Sequence, residues 1–163
     1  MRGVPIRVSP NTFTIVDAED APLVNKYYWS LHQQRGYVQG RRHGPNHGTH
    51  RWVLLHRLIL GLRFGERKYA DHINHNILDN RRANLRFATP QQNGMNRRTK
   101  HGGASPFKGV TRGGWGWRAR VRLDGKLRNF GEYKTEEEAA MRYNVEAKKL
   151  FGEFAYLNPV EMG

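Results

Sequence analysis

The sequence predicts an α+β protein built from two small units, each with its own sheet. Two observations lead to this prediction. Only 37% of the 163 residues are hydrophobic, which is too little for one large core. Short β-rich runs separated by turns fill residues 1–99, whereas strands followed by one amphipathic helix fill residues 107–163. The Gly/Ser/Pro-rich residues 100–106 would link the two units.

The first 55 residues predict short strands. Residues 13–16 and 27–31 are rich in β-branched and aromatic side chains, and residues 37–39 and 52–54 should pair as a hairpin. The Gly-, His- and Arg-rich segment inside that pair cannot bury itself, so it predicts an exposed loop that contacts phosphates. This loop carries His43, His47 and His50.

Residues 56–99 alternate between apolar runs and Asn-rich turns. They predict a short buried helix at 56–60 and two strands at 69–73 and 85–88. Residues 74–80 should form the loop between the two strands. Thr89 suits an N-cap and Pro90 suits the first helical position, so a short helix should follow and include Asn93.

In the C-terminal unit, apolar residues alternate with arginines along one strand. The period of two puts four apolar residues on one face and three arginines on the other: Trp117, Ala119, Val121 and Leu123 against Arg118, Arg120 and Arg122. Asp124-Gly125 predicts a hairpin turn into a strand at 126–133. A helix should then start at a capping box of Thr135 and Glu138 and end at Gly152. Its expected buried stripe is Ala140, Tyr143, Ala147 and Leu150 or Phe151.

The charge balance predicts an acidic partner. The chain has 28 Lys and Arg against 14 Asp and Glu, a formal net charge of +14, and nucleic acid is the commonest partner of such a chain. The sequence contains neither a basic amphipathic helix nor an apolar run of ~20 residues, so a membrane is not the favoured partner. The absence of Cys excludes disulfides and thiolate zinc sites, and the N-terminus has no apolar signal core, so we expect a cytoplasmic protein.

Asp71 and His72 are the first residues that could carry chemistry. Hydrolysis of a phosphodiester needs a base for water and a Lewis acid for the phosphate. His72 can be the base, Asp71 offers a hard oxygen to Mg²⁺, and Asn93 on the following helix can add another. An isolated Asp-His pair is usually structural and Asn-rich loops usually mark turns, so the order of all these residues carries the prediction.

That order, VLLHRLILG, ADHIN and LDNRRANLRFATPQQN, resembles the HNH endonucleases, in the branch common among phage homing enzymes where Asn replaces the last His. The resemblance spans about residues 52–97 and implies a ββα-metal core, two strands and a helix that hold one divalent ion. It implies His72 as the general base, Asp71 and Asn93 as the metal ligands, and Asn84 as the residue that ties the loop and orients the base. His56 matches a frequent, structural His of this branch. His75 departs from the usual Gly after Asn74, where it alters the turn or reaches a phosphate.

A basic segment follows at residues 97–128, where Asp124 is the only acid. A solvated surface normally mixes both signs, so this segment predicts a DNA-binding face on which arginines read guanine edges and phosphates in the major groove. Trp117 falls on the apolar face and should belong to the core, whereas Trp115 either stacks on DNA or packs within the protein. The expected DNA contacts are Arg97, Arg98, Lys108, Arg112, Trp115, Arg118, Arg120, Arg122 and Arg128.

The C-terminal motifs FKGV, WGWRARVRLDGK and FGEYKTEEEAAMRYNVEAKKLFGEFAYLN resemble the plant ethylene-response-factor (Apetala-type) DNA-binding domain. The resemblance covers residues 107–158 and implies a three-stranded antiparallel sheet packed on one helix, with the sheet in the major groove. It implies DNA contacts at Lys108, Trp115, Arg120 and Arg122. Strand three differs from the plant pattern and leaves open whether Arg128 or Asn129 faces DNA.

Together these features predict a Mg²⁺- or Mn²⁺-dependent DNA endonuclease of the homing type that binds double-stranded DNA. The resemblance implies 5′-phosphate and 3′-hydroxyl products. One centre cuts one strand, so a monomer should nick, and a double-strand break would need a transient dimer on DNA or two binding events. One alternative is a DNA-binding regulator with an inactive nuclease core. Another, a zinc-stabilised structural module, would rest on the His-rich loop and on His72 and His75.

Overall fold

The computed structural model describes residues 3–34, 36–42, 52–63, 65–97 and 103–160. The chain forms two compact units, Met1–Pro90 and Gln91–Gly163. Several residues of interest lie outside the described ranges: His43, His47, His50, Arg98 and residues 100–102 of the expected linker.

The first unit opens with an antiparallel hairpin of β1 (Gly3–Ser9) and β2 (Thr12–Asp17). The expected strand at 13–16 is confirmed by β2. Its partner β1 was not predicted, because Pro5 interrupts the run and proline is confined to the edges of sheets. A single helical turn, α1 (Ala21–Val24), follows the hairpin.

A three-stranded antiparallel sheet comes next, with β3 (Tyr27–Leu31), β4 (Val38–Arg42) and β5 (Val53–Leu54) in that order. The predicted pairing of the last two strands is confirmed, with Gln39 opposite Leu54. The sheet leads directly into α2 (Leu55–Ile59), which confirms the short buried helix. These elements share a core whose buried members are Val8, Val16, Val24, Val38, Leu55, Ile59 and Leu85.

A second hairpin completes the first unit. The two strands that the sequence predicted here, β6 (Tyr69–His72) and β7 (Leu85–Ala88), pair antiparallel, and one 3₁₀ turn, Arg82–Asn84, precedes β7. The loop between them binds strand β2: Ile15 N donates to Leu78 O at 2.8 Å, and Asn80 N donates to Ile15 O at 2.8 Å. The N-terminal hairpin therefore supports the loop that follows His72.

The second unit contains a three-stranded antiparallel sheet backed by one long helix. Helix α3 (Pro90–Met95) begins at the last residue of the first unit and continues into the second. The sheet has the order β10 (Lys126–Tyr133), β9 (Trp117–Leu123), β8 (Val110–Arg112), and α4 (Glu136–Phe151) packs on it. The strand pair, the capping box of Thr135 and Glu138, and the helix end at Gly152 are confirmed.

The faces of this sheet follow the predicted period of two. Trp117, Ala119 and Val121 are buried toward α4, where the helix contributes Ala140, Tyr143, Ala147 and Phe151. The hairpin turn places Asp124 at φ 49° and Gly125 at φ 76°. Two positive φ angles are those of a type I′ turn, which matches the twist of the strands and explains the Asp-Gly pair.

The two units meet in sequence at Pro90, whereas the sequence placed the boundary at residues 100–106. The end of α3 belongs to the second unit because Met95 packs beside Val121, Tyr143 and Phe151. The expected limits of 1–99 and 107–163 stay a prediction. Within the described ranges, no helix combines the length and apolar character that crossing a membrane requires.

Candidate active site on the second hairpin

Asp71 and His72 end strand β6 and are both buried, at 8% and 5% exposure. Neighbours on a regular strand point to opposite faces. For both side chains to face one site, the sequence analysis therefore requires a bulge or a strand end at this position. The β6–β7 pairs run in register from Tyr69 to His72, and His72 is the last residue of the strand, so the site lies at a strand end.

The carboxylate of Asp71 forms an ion pair with Arg86, which lies directly opposite on β7. Arg86 Nε and Nη2 donate to Asp71 Oδ2 at 3.0 and 2.9 Å, and both side chains are about nine-tenths buried. Sequence reasoning missed Arg86. The signal was present, because pairing the predicted strands 69–73 and 85–88 places a basic residue across from the acid.

The imidazole of His72 lies in a closed, largely aromatic environment. Its ring centroid is 5.0 Å from that of His56 and 6.3 Å from that of Tyr37. Burial lowers the pKa of His72, although the Asn80 hydrogen bond and the Asp71 charge oppose the shift. His72 is therefore neutral at pH 7, which is the state a general base requires.

His56 packs beside His72 and is more strongly affected by burial. Its pKa is lowered to about 3 by desolvation, with smaller contributions from His72 and Arg57. Its ring also contacts Tyr37, with centroids 5.2 Å apart. A histidine so hard to protonate fits the structural role that the resemblance implied.

Asn84 binds both ends of the loop between the strands. Its Oδ1 accepts from Asn74 N at 2.9 Å, and its Nδ2 donates to Asp79 O at 2.7 Å. Its own carbonyl accepts from Ile73 N at 2.9 Å. This is the geometry of a residue that ties the loop, and the loop follows His72 directly.

The loop also contains Asn80 and Asp79, which sequence reasoning did not single out, and His75, which it did. Asn80 is fully buried and its Oδ1 lies 3.2 Å from His72 Nε2. Asp79 pairs with Arg81 at 2.7 Å and accepts from Asn74 Nδ2, and these bonds lower the pKa of Asp79. His75 adopts φ 63°, a left-handed conformation that explains why Gly is common at this turn position.

An acidic cluster of Asp17, Glu19 and Asp20 lies elsewhere in the first unit, with carboxylate oxygens within 4.8 Å of one another. Arg82 occupies it. Its Nε and Nη2 donate to Asp20 at 2.9 and 2.7 Å, and its backbone N donates to Asp17 at 2.8 Å. The cluster therefore fixes the 3₁₀ turn that carries Asn84.

In the second unit, strand pairing assigns each basic residue to a face. Residues opposite one another in an antiparallel pair share a face. Asn129 lies opposite Arg120, whereas Arg128 lies opposite Val121. Asn129 therefore shares the arginine face that the sequence left open, and Arg128 belongs to the helix side. Arg112 lies opposite Trp117 on that same side, with its guanidinium carbon 3.9 Å from the indole centroid.

The arginine face, defined here by Arg118, Arg120, Arg122 and Asn129, contains an acid as well. Glu132 on β10 pairs with Arg118 at 3.0 Å. Its Oε1 accepts from Trp115 N and Gly116 N at 2.7 and 2.9 Å, and these bonds lower its pKa.

The Trp115 side chain is 68% exposed, so the ring is available to a partner. A groove of about 780 Å³ includes Thr111, Arg120 and Arg122 in its lining.

Three further residues that the sequence singled out, Lys108, Asn93 and Arg97, lie on or next to helix α3 in the second unit. The Lys108 ammonium donates to the backbone carbonyls of Gly94, Met95 and Arg97 at the end of α3. Burial lowers its pKa to about 8, so it is still mostly charged at pH 7. Asn93 is half-buried on α3 and Arg97 is exposed after it, both in the second unit.

Comparison with known proteins identifies the family. The HNH endonuclease family model matches residues 53–95. An uncharacterised HNH endonuclease of Acanthamoeba polyphaga mimivirus is 38% identical over 151 residues, which cover 92% of this chain and 76% of the relative. Protein 3.8 of Escherichia phage T7 is 35% identical over 92 residues, which cover 53% of this chain and 73% of that protein. No solved structure matches. The matched residues include α2, the β6–β7 hairpin and α3, and the extent of the viral similarity shows that the chain belongs to the HNH endonuclease family.

Proposed function

We propose that the chain is a divalent-metal-dependent DNA endonuclease of the homing type that hydrolyses phosphodiester bonds to 5′-phosphate and 3′-hydroxyl ends. The observation that carries the proposal is the neutral, buried His72 beside Asp71, inside the segment that matches the HNH family. Strands β6 and β7 with α3 would form the ββα-metal motif that the resemblance implies.

The donor set suits a hard cation. Asp71 and Asn93 offer carboxylate and amide oxygens, which Mg²⁺ and Mn²⁺ prefer, and these two residues would hold the ion. Arg86 donates to Oδ2 of Asp71, and an ionised carboxylate has acceptor capacity for both an arginine and a cation. When bound, the ion supplies Lewis-acid stabilisation of the phosphate and of the leaving oxygen.

The protein residues would then divide the remaining tasks. His72 accepts the proton of the attacking water, and its neutral state makes that possible without prior deprotonation. Asn84 holds the loop that follows His72 through its bonds to Asn74 and Asp79. Arg86 fixes the Asp71 carboxylate on the neighbouring strand.

The arginine face would hold the substrate, double-stranded DNA. Arg120 and Arg122 belong to this face, Trp115 exposes its ring, and the resemblance to the plant DNA-binding domain assigns DNA contacts to the same three positions. Arg118 would contribute less, because Glu132 already neutralises it. Arg97 is exposed and suits a phosphate contact, whereas Arg112 and Arg128 lie on the helix side of the sheet.

A nicking assay tests the proposed activity. Supercoiled plasmid is incubated with the protein and Mg²⁺, with EDTA as the metal-free control, and DNA binding is measured in parallel by gel shift. We expect the wild type to nick, His72→Ala to bind DNA but not nick, and the matched variant His32→Ala to nick normally, because the His32 ring accepts from Gln34 N in the loop between β3 and β4. A wild type that binds DNA without cutting it would instead support a regulator with an inactive nuclease core. Mapping the ends of cleaved phage and host DNA would test the homing assignment.

A further inference from the structure

We propose that Asn80 is a positioning residue that fixes the tautomer of His72, with the proton on Nε2 and the basic lone pair on Nδ1. The inference rests on the proposed role of His72 as the general base. It assigns a purpose to the N-terminal hairpin as well, since that hairpin supplies the groups that orient Asn80.

The orientation of Asn80 is set by a one-way chain of hydrogen bonds. Thr14 Oγ1 lies 2.8 Å from Leu78 O, and a carbonyl can only accept, so the single hydroxyl hydrogen of Thr14 is used there. Oγ1 must then accept from Asn80 Nδ2, which is 2.8 Å away. Asn80 Nδ2 also donates to Ile77 O at 3.0 Å.

Both amide hydrogens of Asn80 are thereby used, and its Oδ1 is left to face His72. Oδ1 has no hydrogen, so the contact of 3.2 Å with His72 Nε2 is a hydrogen bond only if Nε2 carries the proton. The opposite tautomer would set two lone pairs against each other. In a neutral imidazole a proton on Nε2 leaves Nδ1 as the base.

These hydrogen bonds are strongly constraining because the groups that form them are buried. Thr14 and Asn80 are both 0% exposed and His72 is 5% exposed, so water cannot readily replace a lost partner. The backbone of Asn80 is held too, because Asn80 N donates to Ile15 O at 2.8 Å. The ring of His56 packs against His72 and restricts its rotation.

The tautomer determines which nitrogen takes part in the proposed reaction. Nδ1 accepts a proton from water as the water oxygen forms a bond to phosphorus and the bond from phosphorus to the 3′ oxygen breaks. The leaving oxygen takes a proton from solvent, and His72 later returns its proton to solvent. Throughout the cycle, Nε2–H keeps its bond to Asn80.

Nuclear magnetic resonance of the full chain tests the tautomer directly. In protein labelled with ¹⁵N-histidine, long-range proton–nitrogen correlations distinguish a protonated from an unprotonated ring nitrogen. At neutral pH we expect His72 to show a protonated Nε2 and an unprotonated Nδ1. The opposite pattern in the wild type would overturn the proposal, and this measurement needs no variant.

A matched pair of variants then tests the catalytic consequence. Thr14→Val removes the hydroxyl with little change of shape, whereas Thr14→Ser keeps it. We expect Thr14→Val to give mixed tautomers and to lower kcat about 10-fold or more with KM nearly unchanged, by analogy with the loss of about 10- to 100-fold seen when hydrogen-bond partners of metal ligands are removed. Thr14→Ser should retain both the tautomer and kcat. Asn80→Ala should have a larger effect than Thr14→Val if the variant folds.

The outcomes separate this inference from the proposed function. A protein that nicks DNA in a His72-dependent manner but carries the proton on Nδ1 would contradict the inference alone. A protein with the expected tautomer but no nicking would contradict the proposed function. Equal loss of kcat in Thr14→Val and Thr14→Ser would show that the hydroxyl does not act through His72, and would also overturn the inference.

Discussion

At the residue scale, the candidate site combines two neutral imidazoles with one buried ion pair. His56 and His72 are kept neutral by desolvation, whereas Asp71 and Arg86 face each other as charges across two strands. Each pair has a measurable consequence. The histidines make folding depend on pH, and the ion pair makes stability depend on what else binds Asp71.

The first unit should lose stability on acidification because of His56. Its pKa in the folded chain is about 3, below the value of 6.5 for an unfolded chain, so between these values the unfolded state binds a proton that the folded state does not. The free energy of unfolding should therefore fall as pH drops below 6.5, by at most about 1.4 kcal/mol per pH unit from this one group. Urea unfolding at pH 7, 6, 5 and 4 measures the slope. His56→Phe, which packs a ring but cannot titrate, should give a shallower slope, and an unchanged slope would contradict the assignment.

Removing Arg86 should leave the buried Asp71 carboxylate without its arginine partner. Loss of one partner from a buried pair typically costs about 3–5 kcal/mol, so we expect Arg86→Met to lower the melting temperature clearly. If Asp71 is a metal ligand, Mg²⁺ or Mn²⁺ should restore more stability to this variant than to the wild type, because the cation takes over the charge. Thermal unfolding with metal and with EDTA measures both effects.

The matched control for that experiment is Arg81→Met. Arg81 pairs with Asp79 in the adjoining loop at 2.7 Å, and its side chain is 43% exposed. This variant should lose less stability and gain no additional stabilisation from metal. Equal responses of the two variants to Mg²⁺ would argue against Asp71 as a ligand.

At the scale of elements, the sequence was a good guide to local structure and a poor one to the contacts between side chains that are distant in sequence. Strands β2, β3 and β9, the hairpin turn at Asp124, and the capped helix α4 all follow from short-range patterns of burial and turn chemistry. These patterns depend on neighbours within a few residues, so one sequence is enough to recognise them.

Long-range partners could not be predicted in the same way. Thr14 contacts Asn80 across 66 positions, and Lys108 contacts the end of α3 rather than solvent. Nothing local distinguishes these side chains from exposed ones, because their partners are backbone or amide groups brought near by the fold. The family motif supplied the main residues of the candidate site, which stay a prediction, whereas the residues that orient them required coordinates.

Lys108 illustrates the difference, since the sequence placed it among the DNA contacts. Its ammonium donates to three carbonyls at the end of α3, where a positive charge also suits the helix dipole. Lys108→Met keeps most of the aliphatic stem and removes these donors, so we expect a loss of about 1–3 kcal/mol in the free energy of unfolding. Guanidinium unfolding measures it. A direct role in DNA binding would instead lower affinity without lowering stability.

The two faces of the C-terminal sheet should respond differently to loss of arginine. Arg120→Ala and Arg122→Ala should each weaken DNA binding several-fold and leave the melting temperature nearly unchanged, because both lie on the arginine face away from α4. Arg112→Ala should have less effect on binding and more on stability, since it removes the contact with Trp117. Fluorescence anisotropy and thermal unfolding on the same preparations test this. Unfolding of Arg120→Ala would show that the faces are reversed.

At the scale of the whole molecule, the excess positive charge is shared by both units. Residues 1–90 carry fourteen Lys and Arg against six Asp and Glu, and residues 91–163 carry fourteen against eight. Several of these charges are matched within the protein, notably Arg82 by Asp20, Arg86 by Asp71 and Arg118 by Glu132. Binding of DNA phosphates therefore depends on the unmatched remainder, which is smaller than the net charge suggests.

The salt dependence of DNA binding measures that remainder. If about six phosphates are neutralised, counterion release predicts that the logarithm of the association constant falls with the logarithm of salt concentration at a slope of roughly −5. Arg122 is exposed on the arginine face, so Arg122→Ala should make the slope shallower by about 1, whereas Arg86→Met should leave it unchanged because Arg86 is buried against Asp71. Titrations between 50 and 300 mM salt, chosen to bracket physiological ionic strength at about 150 mM, resolve these differences. A nearly flat dependence in the wild type would mean that the basic surface does not bind the DNA backbone, and the nuclease centre would then need another way to hold its substrate.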